Sequence, residues 1–432
     1  MCVNGCGSVL RPGSRRSVFG AMFGMFGQSL YLMTAKNLNS VRLYSVVQMN
    51  VQDIGGGLPS RLIDLLSALT VDPLPPGSPL YLERTPDKHF RILLEARDAP
   101  VHFLVAGGSG VGKSSFLNHI EHILTRMGRV VCKLSFRPHE ADFIALVLQS
   151  LFSKARHYGP GFARFQLASS QKVSNHLDGA KQLPPAQLWS MLHEADSRIT
   201  RKTFILVDNF NPLGLERPER FFDSLDAFLQ LSQATSIVLC IHTRLYRSIP
   251  DRVLEKLSKI YLEPFTRQEA LEAFKRRVAA SFPEQAEHNP YYPFTRSQVE
   301  EAWSRLGAFR KLLEVCQKVA LAAGEVRQYT DSEVMAQVEL TLAEEAASRY
   351  RELDDVNKAI LEILEHQEAG PTMVSRLLRQ RGYNLSKTTV YERLQMLMEM
   401  GWVEKRGRPP RVAYRLTEEA RKASSLVIRI TK

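Results

Sequence analysis

The segment with the clearest chemical signal is a glycine-rich stretch in the first third of the chain. It reads G-x-x-x-x-G-K-S, a pattern in which glycines let backbone N–H groups wrap phosphates and the lysine brings a charge to the β- and γ-phosphates. The serine hydroxyl is a ligand for Mg²⁺ at the positive end of the following helix. An apolar run precedes the stretch and a helical pattern follows it, which is the context the pattern requires. The expected ATP-binding residues are Gly107, Gly108, Ser109, Gly110, Val111, Gly112, Lys113, Ser114 and Ser115.

An acidic residue ends a later apolar run. Phe204–Val207 reads as a buried strand, and Asp208 follows it, where a carboxylate at a strand's end can be the second protein ligand of Mg²⁺ beside Ser114. Hydrolases of this type usually place Glu next, as the base for the attacking water. Here the next residue is Asn209. An amide can orient water but cannot take its proton, so the sequence predicts slow hydrolysis, which suits a switch.

Alternating strand and helix patterns must position these residues. Short apolar runs separated by helical patterns predict a parallel α/β sheet covered on both faces. Residues 155–185, rich in Gly, Ser and Gln, indicate an inserted loop or weak helices. Beyond Phe265 the strand signals stop and helical patterns predict a compact helical lid. The expected strands are Val101–Ala106, Val130–Leu134, Thr203–Val207 and Ser236–Ile241, and the expected lid helices are Arg267–Ala280, Ser297–Gly307, Phe309–Ala323 and Ser332–Ser348.

Three further segments, in order and spacing, resemble the AAA+ ATPases of the origin-recognition and initiator group, which are related to the STAND signalling and transposon-accessory ATPases. They are Tyr81-Leu-Glu-Arg84, Leu262–Ala270 with its P-F-T-x-x-E sequence, and Gly307–Leu313 with its G-x-x-R-x-L-L sequence. The resemblance covers roughly residues 79–426. It implies an ATPase that associates with copies of itself.

The resemblance also implies individual roles. Tyr81 and Arg84 would lie over the adenine, and Arg310 would be the sensor 2 arginine on the γ-phosphate. The water-positioning polar residue at the end of the fourth strand would be His242 or Thr243. The arginine finger offered to a neighbouring subunit would be Arg252 or Arg244.

The last third of the chain reads as three helices followed by two short strands, which resembles a winged helix-turn-helix. The expected helices are Leu353–His366, Thr372–Arg381 and Ser386–Met400, and the expected strands are Gly401–Glu404 and Val412–Leu416. From Pro371 onward there are fourteen Lys or Arg and five Asp or Glu, which accounts for +9 of the chain's +12 formal charges. Double-stranded DNA is the expected partner, and a protein-contact role is the alternative. The expected DNA contacts are Lys387, Thr388 and Arg393 on the third helix and Lys405, Arg406, Arg408 and Arg411 on the hairpin.

The first 52 residues contain arginines but no acid. They read as a poorly ordered extension, with an organelle transit peptide or a signal peptide as the alternatives. The apolar stretch Val18–Met33 is shorter than the roughly 20 residues that span a bilayer, so we expect no stable membrane insertion. Scattered cysteines indicate a reduced compartment, and we expect a cytoplasmic, nucleoid-associated protein. The expected domains are the extension 1–52, a helix and proline-rich linker 53–78, a nucleotide-binding domain 79–265, a lid 266–349 and a winged helix 350–432.

Three hypotheses follow from these patterns. In the first, ATP controls how the winged helix engages DNA, and hydrolysis is slow. In the second, the chain is a STAND-type signalling switch whose winged helix is an arm that contacts protein. The third, a fast motor ATPase, conflicts with Asn209.

Overall fold

The computed structural model describes residues 59–95, 99–407, 412–418, 420 and 421. Among these described residues, the first compact unit consists of Asp64–Gln317 and Val326–Thr330, and the second contains residues 59–63, Lys318–Glu325 and those from Asp331 onward. The extension 1–52, with its alternatives, lies outside the described residues. Within the described part of the chain, no helix combines the length and the hydrophobicity needed to cross a bilayer.

The first unit is built on a five-stranded parallel sheet with strand order β2-β3-β4-β1-β5. β1 is buried along its whole length, as expected of a strand covered on both faces. The predicted α/β class is confirmed. The carboxyl ends of all five strands meet at one edge, where such sheets bind ligands. The strands are β1 (His102–Gly107), β2 (Val130–Ser135), β3 (Thr203–Phe210), β4 (Thr235–His242) and β5 (Leu257–Leu262).

Helices cover the sheet because each parallel crossover needs a connection that returns the chain to the same edge. Two helices precede the sheet, and the others lie between its strands. They are α1 (Ser60–Ala68), α2 (Thr85–Glu95), α3 (Lys113–Arg126), α4 (Glu140–Ser153), α5 (Pro160–Leu177), α6 (Pro185–Arg198), α7 (Pro218–Leu231) and α8 (Asp251–Leu254).

The segment 155–185 is mostly helix, which was one of the two alternatives that its composition suggested. α5 has 18 residues and buries Phe162, Phe165 and Val173. The ring of Phe162 lies 6.1 Å from that of Phe152 on α4, centroid to centroid. These apolar positions recur at helical spacing, but the Ser, Gln and Lys residues between them hide the period in a short window.

Four helices follow the sheet: α9 (Arg267–Ser281), α10 (Pro283–Ala286), α11 (Arg296–Leu306) and α12 (Phe309–Ala323). The start of α9 is fixed by a capping box. Thr266 Oγ1 accepts a hydrogen bond from the Glu269 amide at 3.3 Å, and Glu269 Oε2 accepts one from the Thr266 amide at 2.8 Å. The Thr and Glu of the P-F-T-x-x-E sequence therefore fix the residue at which the first lid helix begins.

The second unit contains one long helix followed by the three helices and the antiparallel hairpin that were predicted for a winged helix. The third helix buries Val390, Leu394 and Leu397 completely in its core. Ala346 and Tyr350, near the end of the preceding α13, share that core. For this reason α13 groups with the winged helix, although the sequence analysis placed residues up to 349 in the lid. The elements are α13 (Asp331–Arg351), α14 (Asp355–His366), α15 (Pro371–Gln380), α16 (Lys387–Glu399), β6 (Val403–Arg406) and β7 (Ala413–Leu416).

Candidate functional site

The glycine-rich loop joins the end of β1 to the start of α3. Gly112 has a left-handed φ of 91°, which suits glycine because it lacks a Cβ. A Cβ on Gly107 would lie 2.7 Å from Val111 Cγ2, so a side chain does not fit there. These positions force the backbone into a tight turn in front of the α3 N-terminus, whose N–H groups and dipole favour an anion.

The Lys113 ammonium lies folded over this loop. Nζ donates to Gly108 O at 2.6 Å and to Gly107 O at 3.2 Å. Burial lowers the pKa of Lys113, while the nearby Cys240 and Asp208 act in the opposite direction. A triphosphate on the loop would bring the negative charge that this half-buried ammonium lacks.

A cavity of about 570 Å³ opens beside the loop. This volume is within the usual range for small-molecule sites. One part of its wall is the segment from Ser109 to Phe116, and another is formed by Asn209 near the end of β3 and Asn211 just after it. The remaining wall is largely apolar and contains residues of α9 and α12. The cavity thus joins a loop and helix N-terminus that favour an anion to an apolar surface, and this combination fits the two ends of a nucleotide.

Asp208 and Asn209 lie in a bulge near the end of β3, and their side chains differ in exposure. The register between β3 and β4 shifts between Val207 and Phe210. Asp208 is 7% exposed, whereas Asn209 is exposed on the cavity wall with a left-handed φ of 55°. Asn tolerates this backbone region better than most residues. The Asn209 amide donates to Asp208 Oδ1 at 2.9 Å and so helps to hold that carboxylate in place.

Arg310, near the start of α12, lies against the phosphate loop. A Cβ on Gly110 would be 3.4 Å from Arg310 Cβ, and both residues line the cavity. Arg310 Nε donates to Glu314 Oε1 at 3.0 Å, one turn further along the helix. The side chain is therefore oriented by its own helix beside the loop.

The two candidates for the polar residue after β4 differ in position. His242 lines the cavity, and its Nδ1 accepts a hydrogen bond from the Arg244 amide at 3.1 Å. Burial and the charges of Lys113 and Arg244 lower the pKa of His242, which favours the neutral ring. Thr243 is exposed and does not line the cavity. Of the two finger candidates, Arg244 is exposed, and Arg252 pairs with the carboxylate of Asp223.

Tyr81 and Arg84 both line the cavity, but their polar groups face the protein. Tyr81 donates to Asp87 Oδ1 at 2.9 Å and stacks on His119 at 4.1 Å. Arg84 Nη2 donates to Glu263 O at 2.6 Å, and its guanidinium also pairs with Glu269. These contacts of Arg84 join the segment before α2 to the start of the lid, so Tyr81 and Arg84 contribute to the cavity wall mainly through protein contacts.

Ser115 has a similar structural task. Its Oγ accepts a hydrogen bond from the Leu74 amide at 3.1 Å, and Asn118 Nδ2 donates to Leu74 O at 2.6 Å. Val71, Pro73 and Leu74 consequently line the cavity. The sequence analysis treated this segment only as a linker, although its prolines were a signal that the backbone there is stiff.

Ser114, in the cavity wall, and the buried Asp208, next to Asn209, carry oxygen atoms that fit a magnesium nucleotide. Ser114 supplies a hydroxyl and Asp208 a carboxylate, and both are hard oxygen ligands of the kind that Mg²⁺ takes. Among the described residues no cluster of three His, Cys, Asp or Glu side chains could hold a metal alone. A metal ion here would therefore need phosphate oxygens to complete its ligands, which is how Mg²⁺ is usually held with nucleotides.

The winged helix presents several cations to solvent. Lys387 and Thr388 are exposed at the start of α16, which Ser386 caps by accepting from the Thr389 amide at 3.0 Å. Lys405 and Arg406 are exposed at the end of β6. The predicted hairpin contacts Arg408 and Arg411 lie outside the described residues.

Arg393 is occupied within the domain. Its Nη1 donates to Asp354 Oδ2 at 2.7 Å and to Asn357 Oδ1 at 3.2 Å. These bonds join α16 to the start of α14. This side chain therefore helps to position the third helix, and its contact with DNA stays a prediction.

Comparisons with known proteins agree with this architecture. Residues 358–422 match the family model of the ribonuclease R winged-helix domain. No curated protein sequence matches the chain. Similar solved structures include the Orc1 protein of Aeropyrum pernix in complex with DNA, at 15% identity, covering 85% of this chain and 96% of that one with a TM-score of 0.49.

Two further solved structures are similar over most of their length. Cdc6p of Pyrobaculum aerophilum is 16% identical, with 84% of this chain and 97% of that one covered and a TM-score of 0.39. A RuvB variant of Thermotoga maritima is 16% identical, with 78% and 94% covered and a TM-score of 0.41. Similarities at this level carry no functional argument. The chain's own strand order, phosphate loop and C-terminal domain show a P-loop parallel-sheet fold with a helical lid, followed by a winged helix.

Proposed function

We propose that this chain is an AAA+-like ATPase of the initiator type that binds ATP with Mg²⁺, hydrolyses it slowly and engages duplex DNA through its winged helix. The observation that carries the proposal is one cavity lined by the phosphate loop, Asn209 and Arg310. Beside it, the carboxylate of Asp208 accepts a hydrogen bond from the backbone N–H of Asn209. These residues can bind a triphosphate, but the side chain of Asn209 is an amide where hydrolysis needs a base.

In the proposed site, Lys113 turns from the loop carbonyls to the β- and γ-phosphates, and Arg310 contacts the γ-phosphate from the lid side. Ser114 and Asp208 would hold Mg²⁺, which neutralises charge on the phosphate oxygens. Because Arg310 belongs to the lid and Lys113 to the loop, the γ-phosphate would tie the two together. Its loss on hydrolysis would remove that tie, which is the basis for a switch.

Slow turnover is the expected result of Asn209. The side-chain amide can hold a water by hydrogen bonds. The Nδ1 of His242 already accepts from the Arg244 backbone N–H, so the neutral ring carries its proton on Nε2 and can donate one further bond at the same cavity. Neither Asn209 nor an exposed Thr243 accepts a proton readily near neutral pH. ATP would therefore persist on the protein long enough to act as a conformational signal.

DNA is the proposed partner of the second unit. Lys387 and Thr388 at the start of α16 are placed where side chains of a third helix reach a major groove. Lys405 and Arg406 begin a basic hairpin suited to phosphates or a minor groove. We further propose self-association through the ATPase unit. Arg244 is the better candidate for a finger, because Arg252 is already paired.

One observation favours the alternative, in which the winged helix contacts protein. Three large apolar side chains are exposed at the third helix and its end: Tyr391 at 45%, Met396 at 39% and Met400 at 44%. Aromatic residues and Met are enriched at protein interfaces. A regulatory arm would use this surface, whereas DNA binding would use the cations.

The hydrolysis assignment predicts that Asn209→Glu raises the turnover number by about tenfold or more, because general-base catalysis contributes 10²–10⁴-fold. The variant places a larger side chain in a left-handed backbone, at a cost of roughly 1–2 kcal/mol of stability. Phosphate release from saturating ATP is the measurement.

Asn209→Gln is the matched control, since it has the length of Glu without a base and should leave turnover unchanged. A gain with both variants, or with neither, would show that water is activated by another group or not at all.

A further inference from the structure

A buried arginine on the lid lines the same cavity without any assigned role. Arg277 on α9 is 6% exposed and belongs to the cavity wall. Burial lowers its pKa to about 10. Among the described residues, no carboxylate forms an ion pair with it. A buried cation without a counter-charge is expensive, so its presence at a ligand cavity calls for a reason.

The protein holds one edge of this guanidinium. Nη1 donates to Thr70 O at 2.5 Å and to Ala68 O at 3.4 Å, at the end of α1. Within the described part of the chain, Nε and Nη2 have no hydrogen-bond acceptor. Both nitrogens carry N–H donors that a partner in the cavity could use.

One aromatic ring, that of Phe309, packs against the face of the Arg277 guanidinium. Its central carbon lies 5.6 Å from the centre of the Phe309 ring. That ring is 5.0 Å from Phe265, over which the Arg84 guanidinium lies at 4.4 Å. All four residues line the cavity, and Ala273, one turn before Arg277, leaves space beside it. The two guanidinium groups and the two phenyl rings form a stack of planar groups, and a stack of this kind suits a planar heterocycle.

We infer that Arg277 reads the base of the bound nucleotide, donating a hydrogen bond from Nε or Nη2 to an acceptor nitrogen of a purine ring. The inference rests on the proposed nucleotide site, since the phosphate loop at the same cavity takes the other end of the ligand. A backbone bridge to Thr70 and Ala68 alone could be made by a neutral donor at lower cost. The guanidinium gives what a neutral amide cannot, a charged donor that remains available after the bridge is formed.

The proposed hydrogen bond is tested by measuring how tightly the wild-type protein binds ATP and its 1-deaza, 3-deaza and 7-deaza analogues. Each analogue lacks one acceptor nitrogen of the purine ring. A hydrogen bond to a charged donor is worth about 1.5–3 kcal/mol, so removing its acceptor should weaken binding roughly tenfold or more. We expect one analogue to show this loss in calorimetry and the other two to bind within about threefold of ATP.

Arg277→Gln should weaken ATP by a similar factor and abolish the deficit of that one analogue, which a purely structural role would not do. Arg267→Gln, on an exposed residue of the same helix, is the control and should reproduce the wild-type pattern. A thermal melt identifies a variant that does not fold. In that case the affinities of the wild-type protein for ATP and the three analogues are sufficient to test the inference.

Wild-type protein that binds ATP and all three analogues equally would overturn the inference and leave the nucleotide site standing. The inference would also be overturned, with the nucleotide site left standing, if Arg277→Gln still bound that one analogue more weakly than ATP. Wild-type protein that binds neither ATP nor inorganic tripolyphosphate would overturn both.

Discussion

Lys113→Ala should abolish measurable ATP binding, with a loss of affinity of roughly 100-fold or more. The ammonium has only loop carbonyls as hydrogen-bond acceptors among the described residues, so its charge is available for phosphates. Removing one charged hydrogen bond costs about 1.5–3 kcal/mol, and Lys113 is expected to reach two phosphates. Titration of the purified protein with ATP by calorimetry measures the effect.

The matched control is Lys172→Ala, which removes an exposed lysine from α5 and should leave the affinity for ATP unchanged. Thermal melting without nucleotide should distinguish a variant that folds but cannot bind ATP from one that does not fold. If Lys113→Ala binds ATP as tightly as the wild type, the phosphate-loop assignment is wrong.

The hairpin is expected to have the second large effect. Replacing Arg406, Arg408 and Arg411 with Ala should weaken binding to every duplex sequence and leave ATP binding unchanged. If these cations meet phosphates, the slope of log affinity against log salt should fall by about one unit for each arginine–phosphate pair removed, because each pair releases roughly one counterion. If they enter a minor groove, the loss should be larger on A·T-rich duplex, whose groove is narrower and more negative.

A triple change of Arg156, Arg164 and Arg201 to Ala is the matched control. It removes the same charge from exposed positions of the first unit and should change the salt slope little. An unchanged affinity and slope for the hairpin variant would favour the protein-contact alternative, which Tyr391→Ala and Met396→Ala would then address.

The phosphate loop could be predicted from the sequence because its requirements are local. Left-handed glycines, an adjacent strand and a helix N-terminus all lie within a dozen residues, so the pattern carries its own context. Four of the five strands were equally legible, since burial on both faces leaves continuous apolar runs. β5 was not among the expected strands, because it lies at the edge of the sheet and its buried residues are interrupted by exposed ones. The capping box at Thr266 and Glu269 belongs to the same class of short-range signals.

Other parts of the site depend on contacts between residues far apart in the chain. Arg277 lies over two hundred positions from Thr70, and nothing in the sequence around either residue announces their hydrogen bond. Arg393 had the position and charge of a DNA contact, but its pairing with Asp354 requires the packing of α14 against α16. Propensity and spacing do not encode such partners, because tertiary packing decides which polar groups are already satisfied.

Because Arg310 of the lid lies against the phosphate loop, the proposed switch requires that the bound nucleotide changes the affinity of the chain for DNA. The most direct measurement is the affinity of the full chain for duplex DNA with ATP, with ADP and without nucleotide, each at two salt concentrations. We expect binding that weakens with salt and that differs between ATP and ADP by about fivefold or more, the usual size of a coupling between two sites. In Lys113→Ala the three nucleotide conditions should give one affinity. Duplex binding that is absent, or that is identical with ATP, ADP and no nucleotide in the wild type, would contradict the proposed switch.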